Sequence, residues 1–294
     1  MPILPCVVLL LCTQPDPNSH TPDPVRRLTH VTTAYATFSP DGARLVYQSN
    51  DAGNYDLYVM DARSLERRRI VADPAHDITP VFSPDSTTIA FVSERDANRE
   101  VYLCDADGSN PRNLSDHPAQ DIHPVFTPDG SRILFSRNRD NNDPEDYDLY
   151  TMRPDGSDLR QLTDGPAVDT YASFSPDSSR IVTRRAIDGN SEVFLLDADG
   201  TNPVNLTNSP AFDGWRVWSP DGARIAFASG QPGVGVALYL ISPDATNLLR
   251  LTHDPDAEDR HPAFSPDGRT LTFTRYRAGR AESSDLVAIA IPRH

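Results

Sequence analysis

Cysteine is scarce in this sequence. Three of the 294 residues are cysteines, Cys6, Cys12 and Cys104, and three cannot build a disulfide framework. A chain processed after its first twelve residues would keep only Cys104. That residue stands in an apolar stretch, where we expect a buried and inert thiol.

Basic residues are the minority charge. The chain carries 27 Lys and Arg against 42 Asp and Glu, a formal net charge of −15. No run of Lys or Arg is long enough to follow a phosphate backbone. Nucleic acids and anionic membrane surfaces are poor partners for such a surface, so we expect neither.

A hydrophobic run long enough for a membrane span is also missing. The apolar run at residues 3–11 is too short to cross a bilayer and has the length of a signal-peptide core. No Lys or Arg precedes it, so a mis-assigned or truncated start and a disordered tail are alternatives. Cys12 suggests a lipid anchor, although Leu11 is larger than such a site accepts. We favour export, with residues 1–20 as a signal peptide or flexible leader.

Enzyme signatures are missing too. The sequence has no Gly-x-Ser-x-Gly nucleophile elbow, no His-Glu-x-x-His, no Gly-rich phosphate loop and no Cys-x-x-Cys pair. We therefore expect no catalytic residue, no cofactor and no metal site.

What the chain does contain is a pentapeptide that recurs along its length. Close copies of Phe-Ser-Pro-Asp-Gly begin at residues 38, 82, 126, 174, 218 and 264. Their spacing of 44 to 48 residues is typical of one four-stranded propeller blade. Six copies predict an all-β fold, a six-bladed β-propeller with four antiparallel strands in each blade.

The pentapeptide itself is interpreted as a reverse turn between two strands. Proline presets φ, Asp can bond its local backbone, and Gly accepts the left-handed conformation. Ser86 and Ser178 replace the Gly in two copies, which predicts that positive φ is not strictly required there.

The two ends of the repeat region are complementary. The chain enters the repeats with a final-strand sequence at residues 26–29 and leaves them after a third strand at residues 286–291. The N-terminal strand should therefore complete the sixth blade and close the ring, so that no open sheet edge is left. We expect residues 21–294 to form a single domain.

One set of residues recurs just before each turn. In five of the six units an aspartate stands five residues before the aromatic residue that begins the turn pentapeptide. Two positions after it comes, in most units, an aromatic or imidazole side chain. The aspartates are Asp77, Asp121, Asp169, Asp213 and Asp259, and the second set is Tyr35, Thr79, His123, Tyr171, Trp215 and His261. Since the first strand of a blade is the innermost, both sets should surround one mouth of the central channel. Thr33 stands at the Asp position of the first unit, which leaves the ring of carboxylates open there.

Two interpretations of this ring stay open. A functional one is a mouth that binds a cation or a partner. A structural one is that each Asp caps backbone N–H groups at a blade junction, since recurrence in the blades is what a structural role predicts. On the functional interpretation we expect a basic or amine-bearing peptide, bound more tightly as the carboxylates, His123 and His261 lose protons.

The third unit carries an acidic insertion at residues 140–148. Oxygen-rich segments can hold hard cations, but a solvated acidic loop is the favoured interpretation.

The repeat resembles the WD-like repeat of TolB-type propellers. The shared pattern is Leu-Thr, then Asp, then Phe-Ser-Pro-Asp-Gly, then a strand such as Asp56-Leu57-Tyr58, and it covers residues 25–291. The resemblance implies a six-bladed TolB-like fold. In that family TolB is periplasmic and binds a lipoprotein at its channel mouth, and related propellers include oligogalacturonate lyases that hold a metal with histidines.

The function predicted from the sequence is therefore a non-catalytic scaffold for protein–protein interaction, periplasmic or extracellular. A protein or peptide partner would bind at the channel mouth of a monomer. The alternatives are a ligand- or metal-dependent enzyme similar to a polysaccharide lyase, and a small-molecule binding module.

Overall fold

The computed structural model describes residues 25–29, 32–139, 146–231, 235–277 and 284–292. The predicted leader, residues 1–20, and most of the acidic insertion, residues 140–145, lie outside the described residues. The described residues form six four-stranded antiparallel sheets. The six-bladed architecture predicted from the sequence is confirmed.

In blades 1 to 5 the strands pair in chain order from the innermost strand outward, and in blade 6 the first strand of the chain takes the outermost place. Blades 1 to 3 contain β2 (Thr33–Phe38), β3 (Arg44–Ser49), β4 (Asp56–Asp61) and β5 (Arg67–Val71); β6 (Asp77–Phe82), β7 (Thr88–Ser93), β8 (Glu100–Asp105) and β9 (Arg112–Asn113); and β10 (Asp121–Phe126), β11 (Ile133–Asn138), β12 (Tyr147–Met152) and β13 (Arg160–Gln161). Blades 4 to 6 contain β14 (Val168–Phe174), β15 (Arg180–Ile187), β16 (Asn190–Asp197) and β17 (Val204–Asn205); β18 (Phe212–Trp218), β19 (Ile225–Gln231), β20 (Gly235–Ile241) and β21 (Leu249–Arg250); and β22 (Ala257–Phe264), β23 (Thr270–Arg277) and β24 (Ser284–Ala290) with β1 (Arg26–Arg27).

The apolar core lies between neighbouring blades. The two middle strands of blade 2, β7 and β8, are buried on both faces along nearly their whole length, as expected for sheets covered on both sides. Phe82, the turn aromatic of that blade, packs with Val46 and Leu57 of blade 1. Cys104 in β8 is buried and unoxidised, and burial raises the pKa of its thiol to about 12. The predicted burial of this thiol is confirmed.

The pentapeptide forms the same hydrogen-bonded turn in all six blades. In blade 1 the Ser39 hydroxyl donates to Asp41 Oδ1 at 2.5 Å and accepts from the Arg44 N–H at 2.9 Å. The Gly42 N–H donates to the Ser39 carbonyl at 2.8 Å and closes the turn. The fifth position has a positive φ even where it is serine, 60° at Ser86 and 61° at Ser178. The prediction that these two copies do not require positive φ is therefore wrong, because the turn geometry fixes the backbone whatever the residue.

Ring closure by the N-terminal strand is confirmed. In β1, Arg26 and Arg27 pair with Ala288 and Val287 of β24. The Leu28 N–H then donates to the Leu286 carbonyl at 2.7 Å. Leu28 also packs against an apolar cluster formed by blade 1 residues, among them Leu45 and Tyr47, and by Leu286 of blade 6. The N-terminal segment therefore joins the last blade to the first.

Candidate functional site

Four of the five ring aspartates are buried in ion pairs with arginines of their own blade. Asp121 accepts two hydrogen bonds from Arg137, at 2.7 Å and 2.6 Å, because the two residues face each other across β10 and β11. Nε and Nη2 of Arg185 and of Arg275 make the same two-pronged contact with Asp169 and Asp259. Asp77 instead accepts from Nη2 of Arg95 alone, at 3.0 Å and 3.1 Å. These four carboxylate residues are at most 1% exposed.

The carboxylates are therefore not exposed at the channel mouth, contrary to the expectation from the sequence. A buried carboxylate needs a cation and several donors, and an opposing guanidinium supplies both. The backbone bridges the blade junction instead: the N–H of Asp77 donates to the Tyr55 carbonyl at 2.8 Å, and that of Asp121 to Arg99 at 2.7 Å. A structural role fits these aspartates, although their side chains bind arginine rather than backbone N–H groups.

The pattern of ion pairs breaks in two blades. Asp213 of blade 5 faces Ser229, and its Oδ1 has no hydrogen-bond partner among the described residues. Burial raises the pKa of Asp213, against the opposite effect of hydrogen bonds from Ser229 and Thr207. In blade 1 the Thr33 hydroxyl lies 2.9 Å from that of Thr29, so this position serves ring closure.

A β-bulge interrupts every innermost strand two residues after the Asp position. The pairing register shifts there in all six blades. The first bulge residue has φ between 45° and 56°, a left-handed conformation that is uncommon for residues other than glycine. Bulges re-aim side chains, and these direct one side chain per blade to the channel axis. We call this group the axial cluster: Tyr35, Thr79, His123, Tyr171, Trp215 and His261.

The axial cluster brings together all five rings predicted from the sequence. Ring centroids lie 3.6 Å apart for His123 and Tyr171 and 3.8 Å apart for Tyr35 and His261. The Trp215 ring stands edge-on to His261 at 5.3 Å and to Tyr171 at 6.4 Å. The hydroxyls of Tyr35 and Tyr171, from opposite blades, lie 3.1 Å apart. The rings therefore fill the channel at this level and do not line an open mouth.

Burial sets the protonation of the axial cluster. Each ring is half-buried, and the two imidazoles lie against tyrosine rings. Burial lowers the pKa of His123 well below its usual value and that of His261 to about 3, and the nearby charges of Arg216 and Arg260 act in the same direction. Both histidines are neutral at neutral pH. The predicted gain in cation affinity as they lose protons therefore has no basis in this site.

Three arginines that the sequence analysis did not single out lie beside the axial cluster. Arg260 places its guanidinium carbon 4.9 Å from the centroid of the Trp215 ring and pairs with Glu258. Arg184 and Arg216 belong to blades 4 and 5, and the charges of both lower the pKa of His123. Beside the rings the axis therefore has guanidinium groups from three blades, not the free carboxylates predicted.

Arg216 could have been found by aligning the repeats. It is the second residue of its bulge, directly after Trp215. The residues at the same place in the other five blades are Ala36, Pro80, Pro124, Ala172 and Pro262. A single arginine among alanines and prolines indicates a requirement that the fold of a blade does not impose.

Within the ranges that the structure describes, no group of three or more His, Cys, Asp or Glu side chains is placed to hold a metal ion. The same ranges contain no helix of the length and apolarity needed to cross a membrane. The axial cluster and its arginines offer aromatic faces, hydrogen-bond donors and guanidinium groups.

The sequence was compared with protein families and with curated proteins. Residues 23–145 match the profile of the family described as TolB beta propeller domain (PD40). Among curated proteins no match was found.

Solved structures share the fold. An Agrobacterium tumefaciens protein assigned to TolB superposes with a TM-score of 0.70 at 20% identity, over 90% of this chain and 92% of its own. TolB from Acinetobacter baumannii gives 0.68 at 21% identity, over 80% of this chain and 57% of its own. An oligogalacturonate lyase solved in complex with manganese gives 0.62 at 15% identity, over 93% of this chain and 95% of its own. At these identities the likeness establishes the propeller fold alone.

Proposed function

We propose that this TolB-like six-bladed β-propeller is a non-catalytic scaffold that binds a protein or peptide partner at the axial cluster. The observation that carries the proposal is the cluster itself. Each blade contributes one bulge residue with a positive φ to the cluster, and five of the six side chains are aromatic or imidazole. Strain held at equivalent positions is typical of functional sites.

The composition of the site favours a protein partner. Tyr, Trp and Arg are the residue types that dominate binding energy at protein interfaces, and the axial cluster and its arginines consist largely of them. The bulges lie close to the beginnings of the innermost strands. Because the rings fill the channel, the main chain of the partner lies against that face, and its side chains or its terminus reach the cluster.

The proposal includes cellular location and organisation. Residues 1–20 would act as an export leader, and residues 21–294 would work as one domain in the periplasm or outside the cell. The protein would act as a monomer without a cofactor. The TolB-like fold supports this placement.

A polysaccharide lyase-like enzyme is the second candidate, favoured by one observation. His123 and His261 both reach the axis, and burial keeps both imidazoles neutral at neutral pH, as a general base requires. A small-molecule binding module would use the same cluster.

The experiment is a capture of proteins from the native envelope fraction by the immobilised protein. The test variant is Trp215→Ala, which removes the largest ring of the axial cluster. The matched control combines Asp143→Asn with Asp146→Asn in the acidic insertion, which is the competing candidate surface. We expect the wild type and the control to retain the same partner. Trp215→Ala should lose the partner while it stays folded, with a melting temperature lowered by the loss of the ring's packing.

Two results would overturn the proposal. If the insertion variant loses the partner and folded Trp215→Ala keeps it, the acidic insertion is the binding site. If the purified protein turns over pectic oligosaccharides or peptides and His123→Ala or His261→Ala abolishes turnover, the protein is an enzyme.

A further inference from the structure

Arg216 is a buried cation without a carboxylate. The residue is only 7% exposed to solvent. Its one hydrogen bond to protein runs from Nη2 to the Thr170 carbonyl at 3.3 Å, and Nε has no partner among the described residues. Burial lowers the pKa of Arg216 to about 9. An isolated guanidinium in such a place is destabilising, because burial removes its hydration without supplying a counter-charge.

The nearest carboxylate cannot neutralise this charge. Asp169 acts on Arg216 electrostatically, but both of its oxygens already accept from Arg185, at 2.8 Å and 2.7 Å. Arg137 and Arg275 each face their own aspartate in the same way. Arg216 therefore differs from Arg137, Arg185 and Arg275, each of which has a dedicated carboxylate.

A second unpaired arginine converges on the same place. Arg184 donates to Thr170 Oγ1 at 3.1 Å and to Ser191 Oγ at 2.7 Å, and no carboxylate of the described residues lies within ion-pair distance of it. Arg184 and Arg216 thus share Thr170, and each charge disfavours the other. Gly214 makes room for this approach, since a Cβ there would lie 3.4 Å from Arg184 Cδ.

The polar atoms beside these arginines need acceptors as well. The indole nitrogen of Trp215, which is a donor only, is buried with no hydrogen-bond partner among the described residues. Two guanidinium groups that both contact Thr170 match an anion with several acceptor oxygens. A planar carboxylate fits such a set of donors, because guanidinium groups bind it with two parallel hydrogen bonds.

We infer that the axial cluster recognises a carboxylate of the partner peptide, which Arg184 and Arg216 bind beside the rings of Tyr171 and Trp215. This inference rests on the proposed function, because it names the chemistry of the partner at the same site. It also replaces the basic partner expected from the sequence with an acidic one. The carboxylate is a Glu or Asp side chain or a C-terminus.

The protein carries its own reporter for this binding. Its two tryptophans are Trp215 and Trp218, and the other five blades have Phe at the place of Trp218. Trp218→Phe therefore leaves Trp215 as the single indole in a blade that resembles its neighbours. The probes for the titration are acetyl-hexaglutamate amide, its hexaglutamine analogue, and acetyl-hexaglycine with a free C-terminus.

The test variant is Arg216→Ala in the Trp218→Phe background. We expect hexaglutamate or the free C-terminus of hexaglycine to change Trp215 fluorescence, hexaglutamine to have no effect, and Arg216→Ala to weaken the binding roughly tenfold or more. Its melting temperature should stay equal or rise, because alanine stands there in blades 1 and 4 and a buried charge is removed. The control Arg68→Ala removes an exposed arginine of β5 and should change nothing.

Several results would overturn the inference. The inference fails if hexaglutamine binds as tightly as hexaglutamate, or if Arg216→Ala binds hexaglutamate as the wild type does. It fails if the melting temperature of Arg216→Ala falls by a large amount. It also fails if a galacturonate oligomer is clearly preferred, which would make the carboxylate that of a sugar. The proposed function fails separately. If Trp215→Ala loses a captured protein but Arg216→Ala keeps it, the scaffold stands without the carboxylate; if hexaglutamate binds but no protein is captured through the cluster, the reverse holds.

Discussion

Asp121 and Arg137 show what a single residue contributes to this fold. Arg137→Ala should lower the free energy of unfolding by about 3 to 5 kcal/mol, because it leaves a fully buried carboxylate without its cation. Denaturant unfolding measures this directly. Arg160→Ala is the control, since Arg160 keeps 61% of its side chain exposed and should change stability by less than about 0.5 kcal/mol. A loss below about 1 kcal/mol for Arg137→Ala would contradict the role assigned to the pair.

The imidazole of His261 makes the free energy of unfolding depend on pH. Burial holds its pKa at about 3 in the folded protein, whereas an unfolded histidine titrates near 6.5. Between these values only the unfolded chain binds the proton, so this group makes the free energy of unfolding fall as the pH falls, by about 1.4 kcal/mol per pH unit.

His261→Phe should remove this contribution. Urea unfolding of the variant at pH 6.0 and pH 4.5 should show a smaller loss of stability between the two values than the wild type shows. His253→Gln, at an exposed position, should keep the wild-type dependence. An identical dependence in His261→Phe and the wild type would mean that the folded protein protonates His261 as easily as the unfolded chain does.

The sequence predicts which residues form the site more completely than it predicts the contacts around them. The spacing of the repeats selects the five rings of the axial cluster and the five aspartates correctly as equivalent positions. An arginine stands 16 residues after Asp121, Asp169 and Asp259. That spacing predicts an ion pair only once the strand register is known. Arg184 and Arg216 were missed for a related reason: they become neighbours through Thr170, across two blades.

At the scale of elements, the turn after each innermost strand is set by backbone conformation. Gly222 has φ of 69°, and a Cβ there would meet nothing closer than 3.6 Å. Gly222→Ala should therefore cost about 1 kcal/mol through the left-handed backbone alone. Thermal unfolding tests this.

The opposite exchange is available in blade 4. Ser178 holds the same conformation at φ of 61°, so Ser178→Gly should gain a few tenths of a kcal/mol, less than the strain relieved because glycine also loses more entropy on folding. A loss of stability in Ser178→Gly would show that its side chain, rather than its backbone, matters there. The sequence predicts the turn itself correctly, because Pro and Asp specify it; the φ at Ser86 and Ser178 is imposed by the strands on either side.

At the scale of the whole molecule, the ring depends on β1. Deletion of residues 1–29 removes the strand that pairs with β24 and the contacts of Leu28 with blade 1, so the melting temperature should fall by roughly 10 °C or more. Deletion of residues 1–20 spares these contacts and should leave it unchanged. Equal melting temperatures for the two deletions would show that β1 does not hold the ring together. This closure was predictable from the sequence, since the surplus strand at one end matches the missing strand at the other.

The Tyr35 and Tyr171 hydroxyls lie 3.1 Å apart, within hydrogen-bond distance. This contact joins blades 1 and 4, which are three positions apart in the ring. In repeat proteins each unit normally contacts only its neighbours, and stability then behaves as a sum of local terms along the array. Here the rings of five blades meet at one point, so a disturbance in one blade reaches blades that it does not otherwise touch. Loss of one blade should accordingly weaken distant blades as well as adjacent ones, and unfolding should be more cooperative than in an open array of the same repeats.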